Sequence, residues 1–287
     1  MTLRRVVSQP VTVAALAVLV AIFTAGALAS RIVPQRWNDL NLSAQWQNHP
    51  PTAAWPHLMG TDNIGRDVLV RTIWGLHYTE TSALLGALLA TAAGLCLGAL
   101  AAFYGGWLDA ALMRIADLTT TFPVIVVMII VFFFLEPLTV AKATLILGLY
   151  LSAFVARTVR ARFLSLGKEE FVEAARALGA SNARILTRHL LPNAAGTLVV
   201  AATAMVGQIV LVEATAEFFG FGISSLLRPT LGNLVAEAAS TGIGANNQLG
   251  LGWWVWATPA TLLVAILVCV NLVGDGLTEA LDPRTRR

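Results

Sequence analysis

Charged residues are scarce enough in this chain to be taken one by one. Only 12% of its 287 residues are Asp, Glu, Lys or Arg, against 57% hydrophobic. Glu213 and Glu217 stand four apart in VLVEATAEFFG, so they share a helix face in apolar surroundings. Two carboxylates so placed repel by about 0.2–0.5 kcal/mol on an exposed helix. The cost is larger where water is scarce, unless a cation or a proton relieves it. A second group, Asp62, Arg66, Asp67 and Arg71, alternates in sign, and Asp67 and Arg71 have helical pairing distance. It reads either as a self-satisfied salt-bridged segment or as a contact surface for a partner.

Other chemistry is looked for and not found. His49, His57, His77 and His189 are scattered, with no His-Glu-x-x-His, so no metal site is expected. Gly167-Lys168 is followed by Glu169, not Ser or Thr, so no phosphate-binding loop and no nucleotide cofactor are expected. Gly222–Ser225 reads GISS and lacks the following glycine of an intramembrane serine protease motif. Cys96 and Cys269 lie in apolar runs and read as small apolar side chains.

Those runs are the elements that must position the charges. Val6–Ser30, Thr81–Leu108, Leu118–Leu135, Leu190–Val212 and Trp253–Gly274 carry no charge, and Leu138–Ala156 carries only Lys142. Runs of 18 or more such residues read as membrane spans. With a mean hydropathy of +0.73, the expectation is an all-α polytopic membrane protein of six transmembrane helices. The first run, 25 residues long, exceeds the roughly 7–15-residue apolar stretch of a signal peptide, although Ala27-Leu28-Ala29 resembles a cleavage site. An N-in, C-in arrangement places 13 Lys and Arg inside and 6 outside, the sense the positive-inside rule favours. Trp253, Trp254 and Trp256 then stand at the outer interface. The loop Arg31–Glu80, with Pro34, Pro50, Pro51 and Pro56, reads as an ordered or semi-ordered extracytoplasmic segment. Glu213 and Glu217 fall near the outer end of the fifth run, where they are expected to line a translocation path; the alternative places Glu217 in outer-face water.

The largest basic cluster flanks EEFVEAARALGASNARILTRHLLPN, Glu169–Asn193. Phe171, Ala174, Ala175 and Leu178 recur at helical spacing, with Glu169 and Glu170 in the first turn. Gly179 suits a left-handed C-cap, and Ser181 can cap a second helix on which Ile185, Leu186, His189 and Leu190 share a face. Pro192 is expected to bend the chain into the next span. The pattern leaves two readings open: an amphipathic loop lying on headgroups, with arginines toward phosphates, or a docking knob whose small side chains fit a partner's groove.

Glu173-Ala174-Ala175, Gly179, Ile185, His189, Leu191 and Pro192 resemble the Glu-Ala-Ala loop of ATP-binding-cassette importer permeases. His57–Gly75 (HLMGTDNIGRDVLVRTIWG), Gly105–Pro123, Glu213–Gly222 and Asn271–Arg284 are similar to signatures of the dipeptide/oligopeptide/nickel subfamily. The likeness covers most of the chain from His57 onward. Thr278 stands where that family usually has arginine, Glu217 where it has serine and Leu231 where it has tryptophan, and Ser240–Gly250 departs from it.

The resemblance implies a type I importer fold: residues 1–33 as tail and first helix, 34–79 as extracytoplasmic loop, 80–275 as the transmembrane domain with a coupling loop at 161–193, and 276–287 as a cytoplasmic tail. It implies that Phe171, Ala174, Ala175, Leu178 and Ala180 dock on an ATPase subunit and that Gly179 sets the elbow angle. Glu173 and Arg176 would pair with each other or with the partner. Arg184, His189 and Pro192 belong to the same loop, with His189 a packing or capping residue and not a ligand. The implied partners are a sister permease, two ATPase subunits carrying out hydrolysis, an extracytoplasmic binding protein that Asp62, Arg66, Asp67 and Arg71 could contact, and the lipid of a bacterial cytoplasmic membrane; nucleic acid is not among them. The expected cargo is a peptide, though nickel chelates and opines use the same architecture. The alternative is a secondary transporter, which would show mid-membrane ionisable groups and inverted repeats.

Overall fold

A computed structural model describes residues 9–33, 39, 43, 47–53, 57–135, 138–222, 228–240 and 252–281. Arg4, Arg5, Pro34, Arg36, Pro56, Asp282, Arg284, Arg286, Arg287 and nearly all of the Ser240–Gly250 segment lie outside the described residues. The helices are α1 (Pro10–Ala27), α2 (Ala29–Ile32), α3 (Val68–Tyr104), α4 (Gly106–Thr121), α5 (Val124–Phe134), α6 (Val140–Leu166), α7 (Glu170–Ala177), α8 (Asn182–Phe218), α9 (Leu231–Ala238) and α10 (Trp253–Leu281). The described residues are otherwise loop, with one extended bridge between Thr61 and Asp67.

Among the described residues five helices, α1, α3, α6, α8 and α10, are long and apolar enough to cross a membrane, and α4 with α5 makes a sixth if that bent pair is one span. The third apolar run is therefore not straight. Its two halves meet at 90°. Phe122 is extended (φ −94°, ψ 142°) ahead of Pro123, which lacks the N–H that would continue the helix. Lys142 does not interrupt a helix. It lies in the first turn of α6, where Thr139 caps Lys142 N–H and the ammonium donates to Leu135 O at 3.3 Å.

α3 begins at Val68, well before the uncharged run starts at Thr81, because Asp67 accepts from Val70 N–H and caps it there. Its 37 residues extend about 55 Å, beyond a hydrocarbon core of about 30 Å. Along it Gly86, Ala90, Gly94 and Gly98 repeat every four residues; Gly94 and Gly98 turn to α6, and Gly86 lies between Ile209 of α8 and Thr144 of α6. A Cβ at Gly94 would lie 2.5 Å from Val155 Cβ, and one at Gly98 would lie 2.4 Å from Ala156 O. Lipid supplies no hydrophobic force between helices, so close backbone approach through small residues holds this pair. α8 packs on α3 and α10, and α10 on α1, where Gly276 leaves room for Thr12.

Candidate coupling elbow and outer polar network

At one end of the bundle α7 and the start of α8 form an elbow. Val172 and Ala175, three apart, are 0% and 8% exposed, and Val172 joins the main core with Phe163, Leu166, Ile185 and Leu190. Phe171 and Ala174 stay exposed, and Leu178 is 89% exposed. The face expected from spacing thus divides: Ala175 anchors the elbow to the body and is not free to dock. Gly179 closes α7 at φ +76°, donating to Arg176 O at 2.9 Å while Ala180 donates to Ala175 O at 3.0 Å. This pair of bonds satisfies carbonyls the helix end would orphan. Ser181 caps the next helix by accepting from Arg184 N–H.

Glu173 and Arg176 do not pair. Arg176 lies one turn after Val172 and lines a recess with Lys168; both cations are exposed, as are Glu173 and Arg184. His189 is a packing residue, its ring 6.3 Å from that of Phe171. Pro192 does not break the chain. Ile185–Leu190 winds as a π-helix, whose wider turn accommodates the missing N–H, and α8 runs on to Phe218. Asn193 Nδ2 donates to His189 O at 2.7 Å in the same stretch.

The other polar centre lies at the N-terminal end of α3. Asp62 Oδ2 accepts from Arg66 Nε at 2.6 Å and from Arg71 Nη1 at 3.0 Å, and Asp62 Oδ1 accepts from Arg66 N–H at 2.9 Å. Glu237 on α9 completes the set: its Oε2 accepts from Arg71 Nη2 at 2.8 Å, and its Oε1 accepts from Arg66 Nη2. Asp62, Arg66 and Arg71 are 3%, 1% and 3% exposed, so they offer no surface to a binding protein. Two cations against two anions make the cluster neutral, which is what lets it be buried. Asp67 stands apart, capping α3 and meeting His57 Nδ1 at 3.1 Å in place of the pairing with Arg71 that spacing allows. Burial pushes the Asp67 carboxyl up, against the Val70 N–H and His57. Burial alone would raise Glu237 too, but Arg71 and Arg66 outweigh it and hold that carboxyl below the usual range. Glu237 escapes sequence reasoning because it lies 166 residues beyond Arg71, and nothing local marks it.

Glu213 and Glu217 face neither open path nor outer water in this conformation; they are 2% and 4% exposed within the chain. Glu217 Oε2 accepts from Thr230 Oγ1 at 2.6 Å, and Thr230 heads α9 in a capping box with Asn233. Glycines make room for it: a Cβ at Gly222 would lie 2.3 Å from Glu217 Cγ, and one at Gly232 would lie 2.4 Å from its Oε2. Ser82 is the hydroxyl beside Glu213, yet neither Glu213 oxygen reaches hydrogen-bonding geometry. Leu231 N–H donates to Thr79 Oγ1 at 3.1 Å, so α9 is tied to α3 as well as to α8.

Five or six membrane-length helices among the described residues, with an elbow displayed at one end and a buried polar network among the loops at the other, are the architecture of a multi-pass membrane protein. Residues 94–287 match the family described as binding-protein-dependent transport system inner membrane component, and the chain belongs to that family. It is 34% identical to the oligopeptide transport system permease protein OppC of Mycobacterium tuberculosis and of Mycobacterium bovis, over all of this chain and 94% of those. Among solved structures it is similar to the MetNI methionine ABC transporter in its inward-facing conformations, at 24% identity and TM-score 0.58, over 75% of this chain and 96% of that one. The latter likeness is one of fold. The chain is thus the permease component of a binding-protein-dependent ABC importer, with the type I transmembrane fold. The family implies an ATPase and a substrate-binding protein as partners. Membership sets the secondary-transporter alternative aside.

Proposed function

We propose that this chain forms one half of the pore of a peptide importer in a bacterial cytoplasmic membrane, paired with a sister permease, and that the elbow is where ATP hydrolysis on separate subunits is coupled to it. Peptide cargo is supported by the 34% identity to oligopeptide permeases over the whole chain. The count of basic residues supports both termini and the elbow on the cytoplasmic side.

One observation carries the coupling role: Phe171, Ala174 and Leu178 stay exposed on α7 while Val172 and Ala175 root it in the core. Glu173 stands on the same exposed helix. A groove on the ATPase accepts the apolar knob, and the rooted face passes its displacement to the body. α8 then carries it, because 37 residues run as one helix of about 55 Å from Asn182 to Phe218. At its far end Glu217 holds Thr230, so movement at the elbow reaches α9 and the outer layer. Closing and opening that layer is a transition between two rigid arrangements.

The test is the double variant Phe171→Asp, Leu178→Asp in the complete importer. The expected result is loss of co-purifying ATPase subunits and of labelled-peptide uptake, with the permease melting temperature unchanged. Normal assembly and uptake would overturn the role.

A further inference from the structure

Beside the elbow, two cavities meet. The larger, about 660 Å³, is a groove between the last turns of α3, the end of α6 and the start of α8, lined by Leu95, Ala99, Leu100, Phe163, Leu186 and Leu191 among others. The second, about 330 Å³, shares Phe103, Phe163 and Asn182 with it and adds Lys168 and Arg176. Among the described residues no acid lines either cavity, and neither cation makes an ion pair. We propose that the joined cavities bind an anionic phospholipid, acyl chain in the groove and phosphate between Lys168 and Arg176.

Length, charge and level support one occupant. From Leu95 to Tyr104, α3 rises about 14 Å, close to the roughly 15 Å of one leaflet's hydrocarbon. The polar residues Asn182, Thr187, Lys168 and Arg176 lie toward the elbow, where the headgroup region would be. Trp107 and Tyr104, 81% and 67% exposed, stand at the same end of α3 as interfacial aromatics do. A basic recess at the mouth of an apolar inter-helical groove suits an anionic lipid headgroup. Neither Phe171 nor Leu178 lines the recess, so docking on those two side chains does not itself occupy it.

The experiment uses the assembled importer in vesicles of phosphatidylcholine with a minor fraction of phosphatidylglycerol. Photoactivatable analogues of each lipid, reactive near the acyl end, are cross-linked and the labelled peptides mapped. Phosphatidylglycerol should label residues 95–104 and 182–191 about thirty-fold more efficiently than phosphatidylcholine at low occupancy, the effect of two basic side chains near the surface. Lys168→Gln with Arg176→Gln should bring the anionic probe down to the neutral one. Cys96→Trp, which fills the groove wall, should remove labelling by both. Equal labelling by the two lipids, or labelling indifferent to Cys96→Trp, would overturn the site. If the double variant does not assemble, competition by unlabelled phosphatidylglycerol against phosphatidylcholine on the unsubstituted importer decides the same point. The readout is lipid attachment, so it fails independently of the peptide-import reading.

Discussion

Gly179 and Glu237 are single residues with consequences beyond their size. Gly179 holds φ +76° in open space, with nothing within 4 Å of where a Cβ would sit. A substitution there meets no clash, only the backbone cost of a left-handed residue, about 1–2 kcal/mol. Gly179→Leu should therefore leave the spans folded while tilting the knob, lowering peptide uptake per assembled complex; Gly179→Asn, which tolerates that conformation better, should restore most of it. Unchanged uptake in the leucine variant would remove the elbow angle from the mechanism. Glu237 is held below its ordinary range by Arg71 and Arg66 against the pull of burial. Its contribution is present above the ordinary carboxylate pKa of about 4.5 and is lost as pH falls through the lower folded value. Glu237→Gln should leave two buried guanidinium groups under-compensated and cost about 3 kcal/mol at neutral pH. It should also flatten the fall of melting temperature with pH below about 4.5, as measured by thermal unfolding in detergent. A variant with the same acid profile as the parent would mean that the network is not what titrates.

Helix pairing carries the next scale. α3 and α6 touch through glycines whose replacement has nowhere to go, since a Cβ at Gly98 meets the carbonyl of Ala156 and not a movable side-chain tip. Overpacking of this kind costs about 1–3 kcal/mol when the helices can shift and more when they cannot. Gly98→Leu should destabilise the permease and reduce the amount recovered in assembled importer, whereas the same change at the exposed Ala92 should be silent. Equal recovery of both variants would show that α3 and α6 are held by other contacts. α4 and α5 show how one residue redirects an apolar run. Hydropathy treats Leu118–Leu135 as a single span, but Pro123 removes a donor and forces Phe122 extended, so the run folds at 90°.

At the scale of the whole molecule, the chain has two ends with different physical characters. One end is interlocked: Asp62, Arg66, Arg71 and Glu237 tie the segment before α3 to α9, and Trp254 Nε1 donates to Thr61 O at 3.0 Å, tying α10 to it as well. The other end displays Leu178 and Phe171 to whatever covers them. An importer subunit built this way should hydrolyse no ATP by itself, there being no Gly-Lys-Ser/Thr turn in its sequence, and should gain hydrolysis only with its ATPase chains. Phosphate release from the permease purified free of those chains is the measurement, and turnover by the isolated chain would refute the division of labour.

The sequence by itself determined what is local. Uncharged runs mark spans because lipid penalises unpaired charge over a fixed thickness. The left-handed glycine and the serine cap of the elbow were legible because each acts on its own backbone, and five ordered motifs carried the family resemblance. What the sequence left open is what distant segments do to one another. Spacing put Ala175 with Phe171 and Leu178, but only the body of the bundle decided that Ala175 turns inward beside Val172. Spacing allowed Asp67 to pair with Arg71, yet α9 brought Glu237 to that arginine and left Asp67 to cap a helix. Glu213 and Glu217 share a face in any helix; that the face is sealed, with Glu217 against Thr230, follows from where α9 folds back. Burial and ion pairing belong to the packed whole: they joined Asp62, Arg66 and Arg71 to Glu237 in one internal network, and burial closed Glu213 and Glu217 inside the chain.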